Sequence, residues 1–218
     1  MLTIVIPGLN AAASLGACLA TLDGADEVLF VDGGSTDDSA GIAKRAGARI
    51  IVATRGRGTQ LRAGGEAARG DWLLFLHADT RLGAGWRKAV AAHVATAPER
   101  AGYFVLRLDD NAWQARLIER GVALRARLLG LPYGDQGLLI SRRLYDEVGG
   151  FLPLALMEDV DLARRIGRHH LRGMDATALT SADRWRRDGW IRRSGRNLAC
   201  LALYALGMAP ARLARFYR

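Results

Sequence analysis

The stretch "LLFLHADTR" at positions 73–81 sets an apolar run against a histidine and an aspartate. Apolar runs this short read as buried strands, so His77 and Asp79 stand where a strand ends. Asp32 is placed the same way at the end of "EVLFVD", and a third run, "LTIVIP", leads into Pro7-Gly8-Leu9-Asn10. In an open parallel sheet, ligands bind outside the carboxyl ends of the strands. Carboxylates delivered there point to a site, although Asp and Asn are also ordinary turn residues. The dinucleotide pattern G-x-G-x-x-G is missing after the first run, and so is the phosphate loop G-x-x-x-x-G-K-[ST]. "RGRGT" at 55–59 is glycine-rich but follows the third strand. An acidic strand end without a phosphate loop suggests a divalent metal that carries substrate phosphates. Magnesium is typically held by one or two carboxylates together with phosphate oxygens.

Positioning those residues requires strands that alternate with helices. "LTIVIP", "EVLFVD", "RIIVA" and "DWLLFL" are strand-like, and "AAASLGACLATL" has helical spacing through Leu15, Leu19 and Leu22. "GGSTDDSAGIAKRAG" is a turn into a helix, with Ser35 or Thr36 as N-cap. "GTQLRAGGEAARG" is a third helix. Near-continuous Val, Ile and Leu strands separated by helices predict an α/β doubly wound domain with a mostly parallel sheet. The second half is less regular. It offers a helix at "GAGWRKAVAAHVATAP", a strand at "AGYFVLRLD", and a longer helix with apolar spacing through Trp113, Leu117, Val122 and Leu128. A short strand "GLLIS" and a capped helix "SRRLYDEVGG" follow. "MEDVDLARRIGR" opens another helix with Glu158, Asp159 and Asp161 in its first turn, where carboxylates complement the helix dipole.

A chain of 218 residues, half of them apolar, supports one full core. The net charge of +9 gathers late, in "RWRRDGWIRRSGR". Such a surface attracts phosphates, nucleic acids or anionic lipids, and a solvated arginine-rich face gives the same pattern. Only Trp185 and Trp190 punctuate the stretch and no nucleic-acid module pattern occurs, so no nucleic-acid partner is expected. "MLTIVIPGLN" enters a strand-like run directly, without a leader pattern. Cys18 and Cys200 sit in apolar helical patterns and read as reduced thiols, which points to the cytoplasm. The apolar segment from Leu198 to Pro210 is too short to span a bilayer. It suits an interfacial helix in peripheral contact with the inner membrane face, a docked core helix or a homodimer contact.

Taken in order, "TIVIPGLN", "VLFVDGGSTDDS", "GDWLLFLHADT", "GDQGLLISRRLYDEVGGF" and "MEDVDLARRI" resemble the motifs of the family 2 inverting nucleotide-sugar glycosyltransferases, with their GT-A fold. "LHADT" and "GDQG" are most similar to the bacterial radical-SAM and selenodomain-associated transferase 2 subgroup. The resemblance implies a GT-A domain over residues 1–190 and a C-terminal helical extension over 191–218. It further implies transfer of a sugar from a nucleoside-diphosphate sugar to an acceptor hydroxyl, assisted by manganese or magnesium. By the same resemblance Pro7 and Asn10 border the nucleobase, with Ala11 where the family usually has Glu. Asp32 contacts base or ribose, Gly33 replacing a second acidic residue, and Arg57 and Gln60 contact the donor. Asp79 keeps the metal-ligand position of the D-x-D motif, while His77 replaces its first Asp on the donor side; imidazole suits manganese better than magnesium. Asp159 matches the catalytic base of the "ED" motif, and Glu158 orients the acceptor. Asp135 and Gln136 match the acceptor-side segment. Trp185 packs beside the acceptor, with Arg184 approaching the diphosphate. A sugar nucleotidyltransferase is the other enzyme reading, but it favours a G-x-G-T-R-like loop after the first strand, and "PGLNAAASL" lacks one.

Overall fold

Strand β1 (Leu2–Gly8) is buried along almost its whole length and has a parallel neighbour on each side. One is β2 (Glu27–Asp32), in register from Thr3 opposite Glu27 to Gly8 opposite Asp32. The other is β4 (Trp72–Phe75), and β3 (Arg49–Val52) extends β2 in parallel. The computed structural model describes residues 1–217. Beyond β4 the sheet turns mixed, through β7 (Leu138–Ser141), β6 (Ala101–Leu108), β8 (Leu171–Thr180) and the edge strand β5 (Thr80–Leu82). The order is β3-β2-β1-β4-β7-β6-β8-β5, and four of its seven pairings are parallel. Strands β5 and β8 are additions to the sequence reading, because "TRL" and "LRGMDATALT" carry neither an apolar run nor strict alternation. Pairing of β8 with β6 and a 2.8 Å hydrogen bond between the Thr80 and Thr180 hydroxyls hold them.

Successive side chains of a strand face opposite ways, and β1 uses both faces. Ile4 and Ile6 join Leu15 of α1 (Ala12–Leu19), Ala43 of α2 (Ser39–Arg45) and Trp86 of α4 (Trp86–Thr96). Val5 joins Leu61 of α3 (Arg57–Ala67), Tyr145 of α6 (Arg142–Glu147) and Leu162 of α7 (Glu158–Ile166). Helix α3 presses on the sheet through Gly64, where a Cβ would overlap Val5 and lie 2.9 Å from Val31 Cγ2.

Two local expectations change. Helix α2 begins at Ser39, not beside Ser35 or Thr36, because strand-end side chains have claimed those groups: Ser35 donates to Asp32 and the Thr36 N–H to Asn10. Helix α5 (Trp113–Leu129) does not bury its apolar stripe. Trp113, Leu117 and Leu128 are 71%, 61% and 49% exposed, and only Val122 of the expected four is buried. The core face carries Ala115, Glu119, Val122 and Ala126 instead. Small residues allow close approach to the sheet, and Glu119 accepts hydrogen bonds from the Leu108 N–H at 2.8 Å and from Arg107 and Arg116.

Helices α8 (Asp183–Asp188), α9 (Trp190–Ala205) and α10 (Pro210–Tyr217) complete the described chain. Cys200 and Leu213 pack with Met157, Val160 and Ala163 around the start of α7. Much of the basic stretch is paired internally: Asp188 pairs with Arg187, Arg193 and Arg196, and Arg186 with Asp109, Asp110 and Asp183. Arg193 also donates to the Tyr217 hydroxyl at 3.0 Å, tying α10 to α9. Among the described residues no helix is long and apolar enough to cross a membrane.

Gly64→Val should overpack the α3–sheet contact and cost about 1–3 kcal/mol, measured by urea unfolding. A second expectation concerns pH. Hydrogen bonds from Arg187, Arg193 and Arg196 hold the Asp188 carboxyl down at about 2. A depressed carboxyl contributes stability above its unfolded value, near ~3.9, and loses it as pH falls through the folded one. Asp188→Asn should therefore unfold more readily than the parent near neutral pH. The two melting curves should converge as the pH falls to about 2.

Candidate active site

Helix α7 starts from Met157, a non-glycine residue in the left-handed region at φ 66°. That turn sets Glu158 and Asp159 at the helix N-terminus, where carboxylates are favoured by the dipole. The Asp159 carboxylate accepts the Gly134 N–H at 2.9 Å on one oxygen and the Val160 N–H at 2.8 Å on the other. Both donors are backbone, so the side chain is fixed. Glu158 is 1% exposed and forms an ion pair with Arg57, the first residue of α3. Burial pushes the Glu158 carboxyl above its usual range and the Arg57 guanidinium pulls it back. Burial also opposes the charge on Arg57, but Glu158 and Asp159 outweigh it and keep the guanidinium protonated. The pair joins the helix after β3 to the helix that carries Asp159.

His77 lies just beyond the end of β4. Burial, with the charges of Arg57 and Arg184, pushes its imidazole down to about 3, against the pull of Asp159. The ring is therefore neutral near pH 7. It packs on Gly134, where any Cβ would overlap Nε2. Gly134 opens a single 3-10 turn, Gly134–Gln136, that carries Asp135. Burial raises the Asp135 carboxyl to about 6; Arg125 opposes this, while Asp159 and Asp79 add to it. Its Oδ1 has no hydrogen-bond partner among the described residues.

His77, Asp79, Asp135 and Asp159 line one cleft of about 110 Å³ together with Arg57, Arg184 and Trp185. Three carboxylates and a neutral imidazole facing two guanidinium groups can receive a phosphate-bearing ligand and take up a proton from it or its partner. Among the described residues no three His, Cys, Asp or Glu converge tightly enough to hold a cation by themselves. One or two of these oxygens with substrate phosphates would still make a magnesium-type shell.

Other expected site residues lie elsewhere. Pro7 is buried within β1. Asn10, at φ 52°, accepts the Thr36 N–H at 2.8 Å, and Asp32 accepts the Ser35 hydroxyl at 2.5 Å. These two side chains staple the loops after β1 and β2 to each other. Gln60 is buried and its amide donates to the carbonyls of Gly8 and Val31 at 2.7 and 2.8 Å. It ties α3 to the strand ends and does not line the cleft. Gln136 is buried and donates to the Phe104 carbonyl at 3.1 Å. Tyr133, Arg193, Asn197 and Tyr217 line the cleft without having been expected there. The last three come from α9 and α10, and no motif marks a helix that folds back over a distant strand end.

The profile of "Glycosyl transferase family 2" matches residues 3–130, more than half of the sequence. The chain belongs to that family. The matched region includes His77 and Asp79 and ends before Asp135 and Asp159. A PGL/p-HBAD biosynthesis glycosyltransferase of Mycobacterium bovis is 41% identical over 93 residues, covering 38% of this chain and 36% of the relative. An uncharacterized glycosyltransferase of Mycobacterium tuberculosis is 40% identical over 84 residues, 38% of each chain. The alignments thus span little more than a third of these curated relatives. Among solved structures, glucosyl-3-phosphoglycerate synthase of Mycobacterium tuberculosis with Mn2+, UDP and glucosyl-3-phosphoglycerate superposes with a TM-score of 0.59. It shares 22% identity, over 83% of this chain and 70% of that one. TarS 1–349 of S. aureus with UDP-GlcNAc gives 0.64 at 16% identity, over 83% and 58%. At these identities the likeness establishes the fold.

Arg57→Ala should leave Glu158 buried without its partner. A loss on the order of 3 kcal/mol is expected in urea unfolding, and Arg57→Ala with Glu158→Gln should recover part of it.

Proposed function

We propose that this family 2 glycosyltransferase moves a sugar from a nucleoside-diphosphate donor, of which UDP-sugars are the first to test, to an acceptor hydroxyl with inversion. The observation that carries this reading is the fixed Asp159 carboxylate sharing one cleft with Asp79, His77 and Arg57 at the carboxyl end of the parallel strands. As the acceptor oxygen attacks the anomeric carbon, its proton passes to Asp159. The bond from that carbon to the diphosphate breaks on the opposite side. A single displacement inverts the anomeric centre and needs no covalent sugar intermediate.

The donor set fits a divalent cation. Asp79 would hold it with phosphate oxygens of the donor, as a hard cation prefers, and the Mn2+–UDP complex of the fold neighbour supports the choice. When bound, such an ion neutralises charge on the departing diphosphate. Arg57 and Arg184 contribute positive charge to the same end of the cleft, and His77 presents a neutral ring to the donor. Asp135 takes the acceptor side with Trp185. Asn10, Asp32 and Gln60 serve the donor by fixing the loops that receive it. Residues 1–190 form the catalytic domain, and 191–218, of which Arg218 lies outside the described residues, close its cleft. The motif variants at 77 and 135–136 favour the radical-SAM-associated subgroup, and two buried free thiols suit a cytoplasmic setting.

Thermal stabilisation by a panel of nucleoside-diphosphate sugars, with and without manganese, is the direct test; no metal-dependent stabilisation by any of them would refute the reading. Asp159→Asn should bind donor normally and lose about 10²–10⁴-fold in transfer rate. Full transfer by that variant would remove Asp159 from its role.

A further inference from the structure

The exposed stripe of α5 does not stand on a flat surface. Trp113, Leu117, Leu124 and Leu128 of α5 face Ile191 and Leu198 of α9 across a groove of about 740 Å³. That volume lies in the range of small-molecule sites, which are apolar with a few placed polar groups. Part of its polar lining is shared with the catalytic cleft. Tyr133, Asp135, Trp185 and Asn197 line both the groove and the cleft that holds Asp159, so the two are continuous.

Residues lining the groove also carry unsatisfied hydrogen-bonding atoms. Trp185 is 8% exposed, yet its indole N–H has no partner among the described residues. Asp135 Oδ1 and Arg125 Nη2, which line the same groove, are also unpaired. Buried polar atoms cost free energy unless something completes them, and here a donor, an acceptor and a cation belong to residues that line the groove. A second copy of the chain or a bilayer surface would cover the apolar walls but has no reason to continue into the catalytic cleft. A single molecule with an apolar tail and a polar, hydroxyl-bearing head would occupy both parts of this continuous space at once.

The geometry points to an amphiphilic acceptor, whose hydrocarbon tail lies between α5 and α9 while its head passes Trp185 and Asp135 to present a hydroxyl to Asp159. This rests on the glycosyltransferase reading for the fate of the hydroxyl, and on the groove alone for the tail.

The probes are ω-bromoalkanols of increasing length, from bromo-octanol to bromododecanol, because bromine quenches tryptophan on contact and Trp113, Trp185 and Trp190 line the groove. Quenching of the full chain without lipid should saturate, with affinity rising about threefold to fourfold per added methylene. With donor present, acceptor kcat/KM should rise with chain length in the same way. Leu117→Glu and Leu198→Glu change exposed side chains. They should abolish the dependence on length in both measurements while leaving stabilisation by UDP and manganese intact. Quenching that ignores chain length, or survives both substitutions, would overturn the tail site. So would a sedimenting dimer, or binding to phosphatidylcholine vesicles, that Leu117→Glu abolishes while the parent shows no saturable alkanol binding. Loss of nucleotide-sugar stabilisation with alkanol binding intact would count against the transferase reading, and the converse against the tail site only.

Discussion

Everything in this molecule depends on β1 having parallel neighbours on both sides. The chain leaves β1 in one direction to make β2 and β3, and later returns on the other side to make β4. The connections above these strand ends diverge, and a crevice opens between them. The His77–Asp79 segment after β4 lines the candidate cleft, and the loops after β1 and β2 are stapled to each other beside it. What closes the far side is the mixed half of the sheet, which brings the Gly134–Gln136 turn and the start of α7 opposite β4.

The electrostatics follow from that enclosure. Four acidic side chains, Asp79, Asp135, Glu158 and Asp159, crowd a small region, and each is answered differently. Glu158 has Arg57, and Asp159 has two backbone N–H groups. Asp135 has an unpaired oxygen and a carboxyl raised to about 6 by burial. Asp79 takes no side-chain hydrogen bond from the described residues, which leaves its oxygens for a ligand. The same crowding keeps His77 uncharged, because burial and two arginines outweigh one carboxylate. The site is thus an arrangement of committed and uncommitted oxygens within one cavity.

The sequence made the parallel half legible because Val, Ile and Leu runs ending in Asp or His carry both signals at once, strand and site. Asp79 stood out for that reason, whereas Asp159, in the first turn of a helix, was marked by the resemblance to the "ED" motif. Asn10, Asp32 and Gln60 have the polarity of ligand contacts, and their side chains also hold neighbouring loops and strand ends together, which the sequence does not announce. The stripe on α5 has core-like spacing, but the helix meets the sheet with alanines and a tethered glutamate instead. Tyr217, Arg193 and Asn197 were invisible, since nothing local says that α9 and α10 return to the cleft. Strand β8 was missed because its pairing, not its pattern, makes it a strand.

The contact between His77 and Gly134 has one more consequence. The resemblance places an aspartate where His77 stands, and the imidazole occupies the space that a side chain at 134 would need. A shorter carboxylate at 77 would open that space, and a Cβ at 134 would then fill a gap where it now overlaps the ring. The two positions are sterically coupled: with histidine at 77 in this rotamer, glycine at 134 leaves room for the ring. The histidine of "LHADT" and the glycine of "YGDQG" thus share one contact, although they are written more than fifty residues apart.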